Sequence, residues 1–257
     1  MPRFHLVQPV DAPRDIAWSA LSDARGLAGW QADEVEGIVA PGQRLRMSWP
    51  ALAAEVEVEV LELDAPNRVR FAWRDTDVTF EVADGGVTLA SSNIEDLDEY
   101  EGSGSAWAVS LATLAHFCEA HAGARREVAW LVAPVRASAE MVHVFFTDES
   151  ALGTWLGQGE PIGPAGGEVH RRLAPGVELS GRVLSNTPGR DVLVSWEQDG
   201  DSVLALRTLK NPQDPQERLL LFGWSRWTTT PPLDSARAAL ELAHHRLTQL
   251  LGSRRLA

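Results

Sequence analysis

Strict alternation of hydrophobic and charged residues marks several short stretches in the first half of the chain. One stretch places valine between glutamates over residues 55–60, and another places Val69, Phe71 and Trp73 between arginines. A period of two residues is typical of a β-strand with one buried and one solvated face. These stretches predict antiparallel strands whose apolar side chains share one core.

The turn between these two stretches predicts how the strands pair. Folding the chain about Asp64–Asn67 sets Val58 opposite Trp73 and Val60 opposite Phe71. Apolar residues then share one face of the sheet, and charged residues share the other. The alternation slips one residue after Val60, which predicts a β-bulge.

Two Asp-Gly dipeptides predict tight hairpins. The first, at residues 84–85, lies between alternating stretches and pairs Phe80 with Leu89 across a two-residue turn. Asp-Gly in this setting is a strong hairpin signal, because both residues accept positive φ angles. The matching dipeptide in the second half pairs Trp196 with Val203.

Each half of the chain closes on a segment with helical spacing of apolar residues. The predicted helices cover about residues 106–121 and 233–251, and their stripes step by three or four positions. The stripes are Trp107, Leu111, Leu114 and Phe117 in the first helix, and Leu240, His244, Leu247 and Leu250 in the second.

A ten-residue pattern occurs twice, 125 residues apart. Residues 21–30 and 146–155 share an apolar residue, a hydroxyl, an aspartate, a leucine and a final tryptophan in register. In the first copy Asp23 is predicted to cap a short helix that ends near the tryptophan. A period of this length is that of a domain, so we expect two copies of one fold, residues 1–124 and 125–257.

The order of elements predicts an α+β fold. Each copy has a strand, two short helices, a meander of strands and a long helix. In the first copy, Phe4–Val7 is predicted to be the opening strand, and Pro13 is predicted to begin the first short helix. Strands grouped between helices favour an antiparallel sheet. The long helix must bury its apolar stripe, and the concave face of that sheet is the surface available.

These motifs resemble the START-like superfamily, also called SRPBCC or helix-grip, and within it the branch related to the C-terminal domain of the activator of Hsp90 ATPase. The resemblance spans nearly all of the first copy and part of the second. It rests on Leu21-Ser22-Asp23 with Leu27 and Trp30, the turn Asp64–Asn67, Val69–Trp73, Gly86–Leu89 and Trp107, and in the second copy on Phe146-Thr147-Asp148, Leu152, Trp155, Trp196 and the final helix.

The resemblance implies two tandem helix-grip domains. In each, an antiparallel seven-stranded sheet wraps around a long C-terminal helix, often with a cavity between them. It implies no single chemistry, because members include ligand carriers, aromatic polyketide cyclases and chaperone partners.

Charged residues are distributed unevenly along the chain. Residues 1–124 hold 8 basic and 21 acidic side chains, and residues 125–257 hold 15 of each, so the formal charge of −13 lies in the first copy. That half would repel a nucleic acid or an anionic membrane, so neither is expected as a partner. A protein partner of the acidic first domain is an alternative, although acidity also serves solubility alone.

The cellular setting predicted by the sequence is the cytoplasm. The single cysteine, Cys118, suits a reducing compartment. The N-terminus lacks a signal-peptide core, and no apolar run approaches the roughly 18 residues that span a bilayer.

Eight residues are predicted to line a ligand site between the first sheet and its long helix. They are Trp30, Trp49, Val58, Phe71, Trp73, Phe80, Trp107 and Leu111. The chain holds ten tryptophans, and aromatic walls with few polar groups suit an apolar small molecule. The alternative interpretation is ordinary core packing.

Other reactive side chains favour structural roles. Glu241 and His245 share a helix face beside His244, but no second cluster completes a metal site, so no metal or cofactor is predicted. Cys118 adjoins an apolar stripe and is expected to be a packed thiol. The acidic stretch 95–101 is predicted to be an irregular, solvated loop, with a cation or a basic partner as the alternative.

Three functions follow from these observations. The first is a non-catalytic binding protein that holds a hydrophobic small molecule between sheet and helix. The second is a protein-interaction module like the chaperone activator. The third is a cyclase or hydrolase acting in the cavity. This is the weakest of the three hypotheses, because the predicted inner face offers almost no acidic or basic side chain. No catalytic residue is therefore assigned.

Overall fold

The computed structural model describes residues 4–74, 76–92, 97–228 and 234–252, without the side chains of residues 97–101. The chain divides between Glu127 and Val128 into two compact units, here called the first and second domains. Each domain holds one seven-stranded sheet, two short helices and one long helix.

The first domain follows the predicted order of elements. Its strands and helices are β1 Phe4–Pro9, α1 Arg14–Ser22, α2 Ala24–Ala28, β2 Glu34–Glu36, β3 Arg44–Trp49, β4 Ala54–Asp64, β5 Arg68–Trp73, β6 Thr76–Ala83, β7 Gly86–Ser91 and α3 Leu97–Ala120. A short 3-10 helix, Pro50–Leu52, joins β3 to β4.

The second domain repeats this order. Its elements are β8 Glu127–Val135, α4 Ala139–Thr147, α5 Glu149–Gly153, β9 Gln158–Gly159, β10 Glu168–Ala174, β11 Val177–Thr187, β12 Asp191–Trp196, β13 Ser202–Lys210, β14 Arg218–Arg226 and α6 Asp234–Gly252. A 3-10 helix, Glu197–Asp199, joins β12 to β13.

The two sheets have the same topology. Their strand orders are β1-β7-β6-β5-β4-β3-β2 and β8-β14-β13-β12-β11-β10-β9, with antiparallel neighbours. In both, the opening strand returns to pair with the last strand of the meander, and the long helix follows. The α+β class and the tandem helix-grip fold are therefore confirmed.

Register in the first sheet matches the prediction at the strands that matter for the site. Val58 pairs with Trp73 and Val60 with Phe71, and the register shifts directly after Val60. The hairpin between β6 and β7 pairs Phe80 with Leu89.

The two faces of the first sheet differ in chemistry. Its inner face is apolar, and Val58, Phe71 and Phe80 are each at most 2% exposed. Its outer face carries ion pairs between neighbouring strands, such as Arg44 with Glu57 at 2.7 Å. Core burial stabilises the sheet, whereas such exposed pairs contribute little.

The repeated ten-residue pattern has a structural explanation. Asp23 and Asp148 cap α2 and α5, where their carboxylates accept backbone N–H bonds at 2.6 and 2.9 Å. Trp30 and Trp155 are almost fully buried, and each indole N–H donates to a carbonyl ten residues earlier, at 2.9 and 2.8 Å. The pattern therefore anchors the two short helices in each domain.

The predicted pairing of Trp196 with Val203 is wrong by one residue. Trp196 pairs with Ser202, because a 3-10 turn and the left-handed residues Gly200 and Asp201 replace the expected two-residue turn. The connection is therefore longer than a tight hairpin allows.

The start of the first long helix is also corrected. Helix α3 begins at Leu97, nine residues before the predicted start, so the described part of the acidic stretch and the segment 102–105 are helical. Glu95 and Asp96 lie outside the described residues. Ser105 is buried and its hydroxyl donates to the carbonyl of Gly102 at 3.1 Å, so tertiary burial outweighs the weak helix propensity of glycine and serine.

Smaller differences concern the short helices. Helix α2 ends at Ala28, before Trp30, and Pro13 is the residue that precedes α1. Helix α6 is described from Asp234, and the predicted first residue, Leu233, lies outside the described residues.

Candidate ligand site

Five of the eight predicted site residues form one connected aromatic strip in the first domain. Successive rings meet edge to face, with centroid distances of 5.1 Å for Trp73–Trp107, 5.8 Å for Trp107–Phe80, 6.0 Å for Phe80–Trp30 and 6.2 Å for Phe80–Phe71. These are favourable geometries for aromatic pairs. We call Trp30, Phe71, Trp73, Phe80 and Trp107 the aromatic strip.

Two strands, the long helix and the segment after α2 place these rings. Phe71 and Trp73 lie on β5 and Phe80 on β6, all on the inner face. Trp107 reaches the sheet from α3, as its place in the apolar stripe predicts. Trp30 follows α2 and is fixed by its indole bond to the Ala20 carbonyl.

Exposure changes along the strip. Trp30, Phe71 and Phe80 are at most 2% exposed and Trp107 is 8% exposed, whereas Trp73 is only half-buried. The strip therefore runs from a closed inner end to an accessible end at Trp73.

The remaining predicted residues take different positions. Val58 is fully buried beside Trp73 in the register, and Leu111 is buried one helical turn beyond Trp107. Trp49 lies on the inner face of β3, two inward positions beyond Leu45, which is the partner of Val58. That offset is about 13 Å along the strand, so Trp49 is outside the strip.

The second domain builds the same aromatic pair from another element. Trp196 occupies the position of Trp73, and its ring lies 5.8 Å from that of Trp224 on β14. Helix α6 carries no tryptophan. Trp224 pairs with Leu204, two residues after the strand partner of Trp196. Ser91 likewise pairs with Val78, two residues after the strand partner of Trp73, so Trp224 and Ser91 hold equivalent positions in the two sheets.

Ser91 is an inner-face residue that the sequence prediction missed. It continues the alternation of Val87 and Leu89 on β7 and is 4% exposed. The alternation itself was the available signal, because a polar residue at an inward position of a strand is uncommon.

The candidate reactive groups lie in different environments. Burial raises the pKa of the Cys118 thiol to about 12, with Glu119 acting in the same direction. Glu241 pairs with Arg237 at 3.0 Å, while His244 points inward, with its ring 4.9 Å from that of Phe222. Over the described ranges, no three His, Cys, Asp or Glu side chains are grouped to hold a metal ion.

Two clefts of the second domain flank the turn between β10 and β11. They measure about 590 and 210 Å³, and both are lined by Gly176 and Glu178. Glu178 there pairs with Arg172 at 3.6 Å. Neither cleft includes a residue of the predicted ligand site.

Comparison with known proteins finds a family match over most of the first domain. Residues 11–119 match the model of the family described as activator of Hsp90 ATPase homolog 1-like protein. The search of curated proteins finds no match. Among the described helices, none is both long and apolar enough to cross a membrane.

Several solved structures are similar to this chain. The Aha1 dimer from Colwellia psychrerythraea is 17% identical over 46% of this chain and 97% of its own, with a TM-score of 0.41. CalU16 from Micromonospora echinospora is 22% identical over 45% of this chain and 75% of its own, with a TM-score of 0.40. DynU16, encoded in the dynemicin biosynthetic locus, is 17% identical over 97% of this chain and 96% of its own, with a TM-score of 0.42.

The family match and the observed topology agree over the first domain. The resemblance to the activator of Hsp90 ATPase branch of the START-like superfamily is therefore confirmed by a family-model match over residues 11–119.

Proposed function

We propose that the first domain is a binding module for a flat, apolar small molecule, held between the inner face of its sheet and α3. The aromatic strip carries this proposal, because its rings are continuous from the closed end to the half-buried Trp73. A ligand ring that contacts Trp73 and Trp107 would gain both apolar burial and edge-to-face contacts.

The chemistry of the inner wall favours binding over catalysis. The inward positions of β5 and β6 are Val69, Phe71, Trp73, Val78, Phe80 and Val82. These side chains orient an apolar guest but transfer no proton.

Binding is tested with the neutral fluorescent probe N-phenyl-1-naphthylamine and the full-length chain. The probe should quench tryptophan fluorescence and raise the melting temperature, since a ligand that binds only the native state stabilises it. Trp73→Leu should weaken binding about fivefold to tenfold, the worth of an aromatic contact.

Trp18→Leu is the matched control, because Trp18 is also partly buried but lies on α1, outside the strip. It should leave the affinity unchanged. If wild-type protein shows no saturable binding, or both variants weaken it equally, the proposal is wrong.

A protein-interaction role is the second candidate, and the charge distribution favours it. Four arginines on the outer face each form an ion pair with a nearby carboxylate: Arg44, Arg46, Arg68 and Arg70. Because their charge is balanced locally, they do not offset the acidic excess elsewhere in the domain. A basic protein partner would lose affinity as salt rises, because screening weakens contacts between exposed charges. A partner captured equally at low and high salt would contradict this role for the acidic surface.

A further inference from the structure

The smaller cleft of the second domain, of about 210 Å³, has an acidic and aromatic wall. It lies between the start of β11 and the 3-10 helix after β12, and it is lined by Gly176, Val177, Glu178, Trp196, Gln198 and Asp199. Among these described lining residues the charged ones are Glu178 and Asp199, and both are acidic. The cleft is smaller than the roughly 300–1,000 Å³ of pockets for drug-sized ligands, so it suits a small cation.

Hydrogen bonds fix the walls of this cleft. The indole N–H of Trp196 donates to the carbonyl of Glu178 at 2.8 Å, which ties the end of β12 to the start of β11. The side-chain oxygen of Gln198 accepts from the backbone N–H of Ser180 at 2.9 Å. The shape of the cleft is therefore preformed, and a ligand would bind it without paying to order these residues.

The second domain already holds one guanidinium group between a carboxylate and a tryptophan. Arg226 donates to the Asp199 carboxylate at 3.0 and 3.3 Å, and its guanidinium carbon lies 5.4 Å from the centre of the Trp224 ring. Charge-assisted hydrogen bonds and cation–π attraction both stabilise such an arrangement. The ring of Trp196 is 5.8 Å from that of Trp224, so the cleft offers a second tryptophan beside the first.

The carboxylate of Glu178 is the acidic group left for a ligand in this cleft. Asp199 is balanced by Arg226, with which it forms a buried ion pair. Glu178 pairs with Arg172 at 3.6 Å, and both of these side chains are exposed, so their ion pair contributes little. A cation bound in the cleft can therefore replace Arg172 as the partner of Glu178 at low cost.

We propose that this cleft binds a small alkylguanidinium cation, with Glu178 as its charge partner and Trp196 as the neighbouring ring. The cation is either a free small molecule or an arginine side chain of a peptide, since the recognising chemistry is the same. The site belongs to the second domain and is independent of the ligand site proposed for the first.

The test compares methylguanidinium with methylurea, which has a similar planar shape and no charge. Each is added to full-length protein labelled with nitrogen-15 at tryptophan, and the indole N–H signals are followed by NMR. Methylguanidinium should shift the Trp196 signal saturably, and methylurea should bind about tenfold more weakly, because it lacks the charge needed for the cation–π and carboxylate contacts.

Two glutamate variants test the role of the carboxylate. Glu178→Gln should weaken methylguanidinium binding about threefold to fivefold, the upper range for an exposed ion pair. Glu168→Gln is the matched control, because Glu168 is also an exposed carboxylate with an ion-pair partner at 3.6 Å but lies outside the cleft. It should leave the affinity unchanged.

The blocked peptide acetyl-Gly-Arg-Gly-amide distinguishes the two sources of the cation. Binding as tight as that of methylguanidinium would support a site for an arginine side chain, and much weaker binding would support a site for a free compound. The inference is overturned if methylguanidinium gives no saturable shift at Trp196, if methylurea binds equally well, or if the two glutamate variants lose affinity equally. None of these outcomes bears on the ligand site of the first domain.

Discussion

Replacing Trp107 by alanine tests whether α3 and the first sheet are joined through the aromatic strip. Trp107 is 8% exposed, and its ring contacts Trp73 at 5.1 Å and Phe80 at 5.8 Å. Truncation removes both ring contacts and leaves a void between helix and sheet. Trp107→Phe keeps a ring at the same position and should cause a smaller loss.

The magnitude follows from the burial of the side chain. Replacing a buried aromatic residue by alanine costs about 3–5 kcal/mol, through lost transfer free energy and the cavity that remains. The two edge-to-face contacts, each worth about 0.5–1.5 kcal/mol, place Trp107 within that range. Trp73→Ala should cost less, because Trp73 is only partly buried.

The assay is guanidinium unfolding of the full-length chain, followed by circular dichroism. Trp224→Ala is the matched variant for the second domain, since Trp224 is 4% exposed and makes the equivalent ring pair with Trp196. The two variants should destabilise different domains by similar amounts. A loss below about 1 kcal/mol for Trp107→Ala, the scale of a surface substitution, would refute the packing argument.

Three further predictions concern other contacts. Gly29→Ala should cost about 1–3 kcal/mol in thermal unfolding, because a Cβ there overlaps the Phe117 ring, and a melting temperature equal to wild type would contradict that contact. Burial lowers the pKa of the His244 imidazole below its unfolded value of about 6.5. The contribution of His244 to the free energy of unfolding is therefore fully present above that pH and is lost as the pH falls below it, because the unfolded state takes up the proton first. His244→Leu should flatten this pH dependence, and an unchanged slope would assign the dependence to another group. Arg126→Ala should lower the melting temperature more than Arg125→Ala, since Arg126 donates to the Trp30 carbonyl at 2.7 Å, and equal effects would show that this bond is not stabilising.

The parts of the fold that were predictable are those with a strong period. Alternation over β4 and β5 predicts the pairing of Val58 with Trp73, because shifting the register by one residue would turn every apolar side chain outward. The repeated Asp and Trp predict the duplicated domain, because the same cap and the same indole bond are needed in each copy.

The parts that were missed depend on tertiary contacts. The early start of α3 conflicts with local propensity at residues 102–105, and only burial against the rest of the domain favours it. The one-residue error at Trp196 arises from a 3-10 turn that a two-residue Asp-Gly rule does not include.

The candidate site was predictable in outline only. Helical spacing brings Trp107 to the sheet, but it does not show that Trp224 replaces it from a strand in the second domain. The alternation along β3 places Trp49 on the inner face of the sheet. It does not show how far Trp49 lies from the aromatic strip, because that distance depends on how β3 pairs with β4. The position of Ser91 opposite Val78 is visible only once the strands are assembled.

The most direct test of the account is an NMR titration of the indole N–H signals of the ten tryptophans. Adding 9-fluorenone to full-length protein labelled with nitrogen-15 at tryptophan should shift the signals of Trp73 and Trp107, assigned by single substitutions to phenylalanine. The signals of Trp196 and Trp224 should stay in place. Saturable shifts confined to Trp73 and Trp107 are the predicted result, and an unchanged spectrum, or shifts only at Trp196 and Trp224, would contradict a ligand site in the first domain.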